Sequence, residues 1–160
     1  VRAVETLESD RIGCMTWTSI AWSRWLDERG VIGASIDLEA TIALAKRAVE
    51  VKADYDKGRP YAALGVALAL APAPLDPDLE GARKALNQAT TIAPSRLTPI
   101  VDLAQYVSAV EGKDGEWRAL LQRVVDQEVA EADPDRLENL AAIQRAQALL
   151  LAGPDNRWDE

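Results

Sequence analysis

Hydrophobic and polar positions recur with a helical period along this chain, and proline and glycine separate the periodic segments at regular intervals. In the first of them Trp17, Ala21 and Trp25 recur every four residues, and Gly30 follows as a C-terminal stop. The sequence shows no sustained alternation of apolar and polar residues that would predict a strand. The pattern predicts about seven helices, at residues 14–29, 37–53, 58–71, 78–92, 98–112, 114–125 and 133–152.

Residues at the predicted helix starts have the character of N-caps. Asp37 is predicted to cap the second helix, and Asp76 or Asp78 the fourth. Thr98 followed by Pro99 is predicted to open the fifth helix as a cap and first-turn pair. The third helix is apolar on nearly all sides, which predicts a central, buried position.

Two neighbouring helices carry the spacing of a tetratricopeptide repeat. The first-helix positions, with steps of three, one and three, are Tyr61, Leu64, Gly65 and Leu68. The second-helix positions, with steps of four, three and five, are Ala82, Leu86, Ala89 and Pro94. Because Gly65 and Ala82 are small, the two helices are expected to approach closely. The sequence therefore predicts an all-α fold of tetratricopeptide-like antiparallel helix pairs, with one domain over residues 1–152 and a frayed acidic tail over 153–160.

Composition excludes several function classes. The chain has 160 residues, no His, one Cys and a net charge of −8. Without imidazole there is no Ser-His-Asp machinery and no His-based metal site, and an acidic chain lacks the basic face that nucleic acid requires. We expect no catalytic residue, no metal and no cofactor; Cys14 is expected to be a semi-buried thiol. A carboxylate hydrolase ranks far below the other hypotheses, because most acidic residues fall at helix caps and on solvated faces.

Three tryptophans make the first predicted helix the strongest candidate site. Trp17 and Trp25 fit a stripe facing the core, with Trp22 pointing elsewhere. The functional alternative is that the three indoles line an apolar ligand groove or anchor a partner protein. The sequence alone leaves both interpretations open.

Three further candidates have a structural and a functional interpretation. Tyr55 falls in a predicted turn with Asp56 and Gly58, and Tyr61 fits the repeat core. Arg145, in the last helix, fits a structural ion pair. The alternative for each is a contact with a ligand or partner in the same groove as the tryptophans.

Three stretches, in their order along the chain, carry residues that match the motifs of a known protein family. The first is Trp17, Trp22 and Trp25, with intervals of five and three. The second runs from Arg47 to Gly65, and its matching residues are Ala48, Tyr55, Asp56, Gly58, Leu64 and Gly65. The third runs from Gly115 to Leu150, and its matching residues are Asn139, Ala142, Arg145 and Ala146. With these residues the chain resembles the TatT component family of TRAP transporter systems, tetratricopeptide-like proteins of the bacterial envelope.

The resemblance implies a non-enzymatic accessory component that binds the periplasmic substrate-binding protein of a TRAP system and a small apolar ligand. It also implies a right-handed superhelix, a trimeric arrangement with a central pore, and a periplasmic protein whose lipid anchor precedes Val1. The chain departs from the family at Tyr61, where His is common, and at Ile100 and Gln105, where Lys and Glu are expected. The alternative is a generic helical-repeat scaffold for protein–protein interaction.

Overall fold

A computed structural model describes residues 2–29, 31–70 and 76–154 of the chain, without the side chains of residues 2, 29 and 31–36. All regular structure in these ranges is helical, which confirms the predicted all-α class. A short 3₁₀-helix (Ser9–Arg11) precedes α2, and a π-helix (Ala104–Ser108) continues α6. The eight α-helices of the described ranges are α1 (Arg2–Glu5), α2 (Ile12–Arg29), α3 (Val31–Lys52), α4 (Arg59–Ala69), α5 (Leu79–Ile92), α6 (Thr98–Leu103), α7 (Asp114–Val125) and α8 (Arg136–Ala152).

Helix starts match the prediction at some positions and differ at others. The cap predicted at Asp37 is wrong, because α3 already begins at Val31. Asp37 lies inside the helix, where its carbonyl oxygen accepts a hydrogen bond of 2.8 Å from the Thr41 hydroxyl. Thr98 is the first residue of α6 rather than its cap, and the preceding Leu97 takes the cap position. The predicted stop at Gly30 lies outside the described residues.

The start of α5 confirms one of the two predicted caps. The Oδ1 atom of Asp78 accepts a hydrogen bond of 2.8 Å from the backbone N–H of Gly81. This bond satisfies one of the N–H groups that the first helical turn leaves without an intrahelical partner. The side chain therefore fixes where α5 begins.

Asp78→Ala is expected to lower the free energy of unfolding by about 1 kcal/mol, because it removes this cap. In a chain of this size that corresponds to a decrease in Tm of about 2–4 °C. Thermal unfolding followed by circular dichroism measures the change. Asp76→Ala is the matched control, since Asp76 is exposed and precedes the cap. Equal melting temperatures for the two variants would contradict the assignment of the cap.

The described chain divides into two compact units, Val1–Ile92 and Ala93–Glu160. In the first unit α2 and α3 run antiparallel. Ile12 and Met15, at the start of α2, pack with Ala48 near the end of α3. Leu26, near the end of α2, packs with Leu38. Each helix thus buries one face against the other.

The second helix pair of this unit, α4 and α5, crosses at a glycine. A Cβ atom placed on Gly65 would lie 2.5 Å from Cγ of Leu86 and 3.0 Å from the carbonyl oxygen of Ala82. The close approach predicted for Gly65 and Ala82 is therefore confirmed. The central position predicted for α4 is confirmed as well, since seven of its residues are buried: Pro60, Ala63, Gly65, Val66, Ala67, Leu68 and Ala69.

In the second unit the core lies among α6, α7 and α8. Trp117 is 1% exposed and packs in this cluster. The remaining buried members are Leu97, Ile100, Val101, Ala104, Leu121, Val124, Ala142 and Ala146.

Asn139 of α8 is a buried polar residue whose side chain forms three hydrogen bonds at the edge of this core. Its side chain accepts a hydrogen bond from Leu97 N–H and donates to the carbonyl oxygen of Ser95 and to Asp133. One side chain therefore ties α8 to the segment that leads into α6. The tetratricopeptide-like repeat, the superhelix and the single domain over residues 1–152 stay predictions, and most of the predicted tail lies outside the described residues.

Candidate functional site

Helix α2 has two different faces. Its buried face carries small polar side chains between apolar ones, and its members are Ile12, Met15, Thr16, Ser19, Ser23 and Leu26. These positions recur every three or four residues, as one side of an α-helix must. The tryptophans of α2 lie outside this stripe.

All three tryptophans are exposed. The exposed fraction is 49% for Trp17, 42% for Trp22 and 40% for Trp25. The core interpretation of Trp17 and Trp25 is therefore wrong, and Trp22 does not differ from them in exposure. We call these three residues the tryptophan face. Its length along the helix, from Trp17 to Trp25, is about 12 Å at 1.5 Å per residue.

One member of the tryptophan face is held by a cation. The guanidinium carbon of Arg59, the first residue of α4, lies 4.6 Å from the ring centroid of Trp17. Arg59 in turn forms an ion pair with Asp56 through Nε and Oδ2. Its side chain is 14% exposed, so the cation that contacts the indole is largely shielded from solvent.

The turn that supplies Asp56 has an uncommon backbone. Asp56, Lys57 and Gly58 follow one another with φ angles of 43°, 56° and 79°. Glycine adopts this region freely, whereas each non-glycine residue there costs about 1 kcal/mol or more. At Gly58 a Cβ atom would also lie 3.1 Å from Ile92, so both conformation and space favour glycine. The predicted turn at Tyr55, Asp56 and Gly58 is confirmed.

Tyr55 lies at the start of this turn and contacts α2. It is half-buried and packs against the cluster of Ile12, Met15 and Ala48. A Cβ atom on Gly13 would lie 3.1 Å from the Tyr55 hydroxyl oxygen, so the phenol passes close to the backbone of α2. The turn is thereby anchored one helical turn before Trp17. Tyr61 is half-buried in α4.

Arg145 belongs to the second unit and is bound to α6 and the π-helix. Its Nη1 lies 2.7 Å from Oδ1 of Asp102, which is 5% exposed. Its Nε donates a hydrogen bond of 2.8 Å to Gln105, and its guanidinium lies 5.6 Å from the ring centroid of Tyr106. The predicted ion pair of Arg145 is present, with Asp102 as its partner, and the neutral amide of Gln105 accepts a hydrogen bond from the same guanidinium.

Cys14 is exposed, so the prediction of a semi-buried thiol is wrong. It lies on α2 one turn before Trp17, where the outward face of the helix begins. Within the described ranges no three His, Cys, Asp or Glu side chains are grouped in a way that could hold a metal ion. None of the helices described combines the length and apolar character that a membrane-spanning helix needs.

Sequence reasoning missed the polar partners of the site. The contact of Arg59 with Trp17 joins positions 42 residues apart, and no local pattern reports it. A signal for the orientation of α2 was present, because Thr16, Ser19 and Ser23 recur at intervals of three and four. A stripe of small residues is a good surface for close helix packing, whereas three tryptophans leave a wide helix face.

The geometry defines a class of protein: an all-helical protein of paired helices with an exposed aromatic face. The family model of the TRAP transporter T-component matches residues 1–155. The chain therefore belongs to the TRAP transporter T-component family, an accessory component of transport systems. No curated protein has a significantly similar sequence.

Proposed function

We propose that this T-component binds the periplasmic substrate-binding protein of its TRAP transporter through the tryptophan face. The observation that carries the proposal is the exposure of Trp17, Trp22 and Trp25, at 40–49% each, on one helix. Tryptophan is enriched among the residues that dominate binding energy at protein interfaces. Membership of a transporter family supplies the class of partner.

The area involved is sufficient for a useful contribution to affinity. A tryptophan buries about 150–250 Å² when fully covered, so three that are nearly half exposed leave about 250–300 Å² of mostly apolar surface. Covering this surface contributes about 6–8 kcal/mol before the entropic costs of association. This amount is consistent with a central anchor and requires a surrounding polar rim to complete an interface.

The finer features that the resemblance implies are part of the same proposal. The T-component acts without catalysis, in the periplasm, held by a lipid anchor upstream of Val1. A small apolar ligand passes between the substrate-binding protein and this component, and the protein assembles as a trimer. The tryptophan face supports the ligand as well, because indole rings offer the apolar contact that such a molecule requires.

The test is a titration of the T-component with the substrate-binding protein of the same transporter by surface plasmon resonance. We expect a complex with micromolar or tighter affinity. Substituting Trp17, Trp22 and Trp25 by Ala together is expected to weaken it at least 100-fold, since each anchor contributes about 1–2 kcal/mol or more.

The matched control removes exposed apolar side chains elsewhere. Leu137 and Leu151 of α8 are 82% and 89% exposed. A Leu137→Ala, Leu151→Ala variant is expected to bind within twofold of the parent protein. Equal weakening in both variants would refute the tryptophan face as the anchor. Absence of any complex at micromolar concentration would refute the partner and favour a generic helical-repeat scaffold.

A further inference from the structure

We propose that Asp56 is a positioning residue of the tryptophan face, which fixes the indole of Trp17 through Arg59 in the orientation that the partner contacts. The proposal rests on the function proposed above and extends it to residues outside α2. It assigns a role to the turn between α3 and α4, which does not itself belong to the exposed aromatic surface.

Trp17 needs a support because half of it faces solvent. Its exposed fraction of 49% leaves the outer part of the indole without packing neighbours. A half-exposed side chain exchanges between rotamers unless a contact selects one of them, and that freedom is lost on binding. The guanidinium of Arg59, 4.6 Å from the ring centroid, supplies a flat, charged contact on the indole.

Arg59 in turn depends on Asp56. Arg59 is the first residue of α4, where the helix dipole disfavours a positive charge. The carboxylate of Asp56 accepts a hydrogen bond from Nε of Arg59 and offsets this cost locally. Nε is the nitrogen nearest the aliphatic stem, so this bond fixes the plane of the guanidinium as well as its position. The Arg59 side chain is only 14% exposed in this arrangement. Without the hydrogen bond from Arg59 to Asp56, we expect the guanidinium to leave its position on the indole more often.

The backbone of the turn agrees with this role. Asp56 has a φ of 43°, in the left-handed region that Asp and Asn tolerate better than most residues. The unfavourable conformation brings the carboxylate to Arg59 from outside the helix. Asp56→Asn is therefore a suitable test variant. Asparagine has nearly the same shape as aspartate and also tolerates the left-handed region, but it carries no charge.

The experiment reads Trp17 directly by ¹⁹F NMR of protein labelled with 5-fluorotryptophan. The chain has five tryptophans, and Trp17→Phe assigns the resonance of Trp17. In Asp56→Asn we expect this resonance to shift toward that of free 5-fluorotryptophan, while the resonance of the buried Trp117 stays unchanged. Arg59→Lys is expected to shift it in the same way, because lysine keeps the charge but lacks the planar group.

The matched control is Glu50→Gln. Glu50 forms an ion pair with Arg47 at the same spacing of three residues, with 3.2 Å between Nη1 and Oε2. Arg47 is tied to the carbonyl oxygen of Leu7 rather than to an indole. This variant is expected to leave the Trp17 resonance and the affinity for the partner unchanged.

Affinity for the substrate-binding protein provides the second readout. Asp56→Asn is expected to weaken binding about two- to fivefold, the range of an exposed cation–π contact. An unchanged Trp17 resonance would overturn the positioning role, whether or not a complex forms. A shifted resonance with unchanged affinity would overturn the link to binding. If the parent protein forms no complex, the proposed partner fails, and the NMR result alone decides whether Asp56 orients Trp17.

Discussion

Replacing Gly65 with leucine is expected to destabilise the first unit by about 3 kcal/mol or more, at or above the upper end for an overpacked core. The reason is the close crossing of α4 and α5. A Cβ atom alone would lie 2.5 Å from Cγ of Leu86 and 3.0 Å from the backbone oxygen of Ala82. The side chain of Leu86 can change rotamer, but the carbonyl group of Ala82 belongs to α5 and moves only if the two helices separate.

Thermal unfolding measures this effect, and we expect a decrease in Tm of about 6–12 °C for a chain of this size. Gly65→Ala, which adds only the Cβ atom, is expected to fall between the parent protein and the leucine variant. Gly115→Leu is the matched control, because a Cβ atom at Gly115 in the first turn of α7 meets nothing within 4 Å. A Gly65→Leu protein that melts within a degree of the parent would refute the close crossing.

Arg145→Met is expected to destabilise the second unit by about 3 kcal/mol, because it leaves the carboxylate of Asp102 buried without its cation. Asp102 is 5% exposed, so solvent does not replace the lost contact at 2.7 Å. Gln105 loses its hydrogen bond from Nε at the same time. Methionine keeps much of the length of the side chain and therefore limits the effect to charge and hydrogen bonding.

A double-mutant cycle measures how strongly Arg145 and Asp102 are coupled in the folded protein. In the variant Asp102→Leu, Arg145→Met both charges are removed, and we expect much of the stability to return, as for other buried pairs replaced by apolar residues. Urea denaturation gives the four free energies of unfolding. If Arg145→Met is as stable as the parent protein, the ion pair is not structural, and the ligand interpretation of Arg145 regains support.

Local sequence patterns predicted the all-α class and the approximate positions of most helices. The predicted start of the third helix at residue 58 lies within one residue of the start of α4, and Asp78, one of the two caps predicted for α5, is confirmed. The start of α3 was missed, because Asp37 has the character of a cap and also fits the surface of a helix. Whether an aspartate caps or continues a helix depends on the residues before it, which here resume the helix at Val31.

The sequence identified the tryptophans of the candidate site but not their orientation or their contacts. The tryptophans of α2 were identified, but their spacing fits a core stripe and an exposed face equally well. The exposure of the tryptophans depends on which side of α2 packs against α3 and α4. The small residues Thr16, Ser19 and Ser23 occupy the packed side, because they allow the helices to approach closely. Arg59 could not be assigned to Trp17 from sequence, because that contact depends on how α4 packs beside α2.

The π-helix between α6 and α7 limits the number of residues that this segment of the chain can have. Its hydrogen bond from Ala109 N–H to the Ala104 carbonyl spans five residues instead of four, which amounts to one extra residue in an otherwise regular helix. Deleting one residue here would restore regular bonding and rotate all that follows by about 100°. Arg145 of α8, which follows the deletion, would then turn away from Asp102, which precedes it, and the ion pair between them would be lost. Insertions and deletions in this segment are therefore costlier than most substitutions.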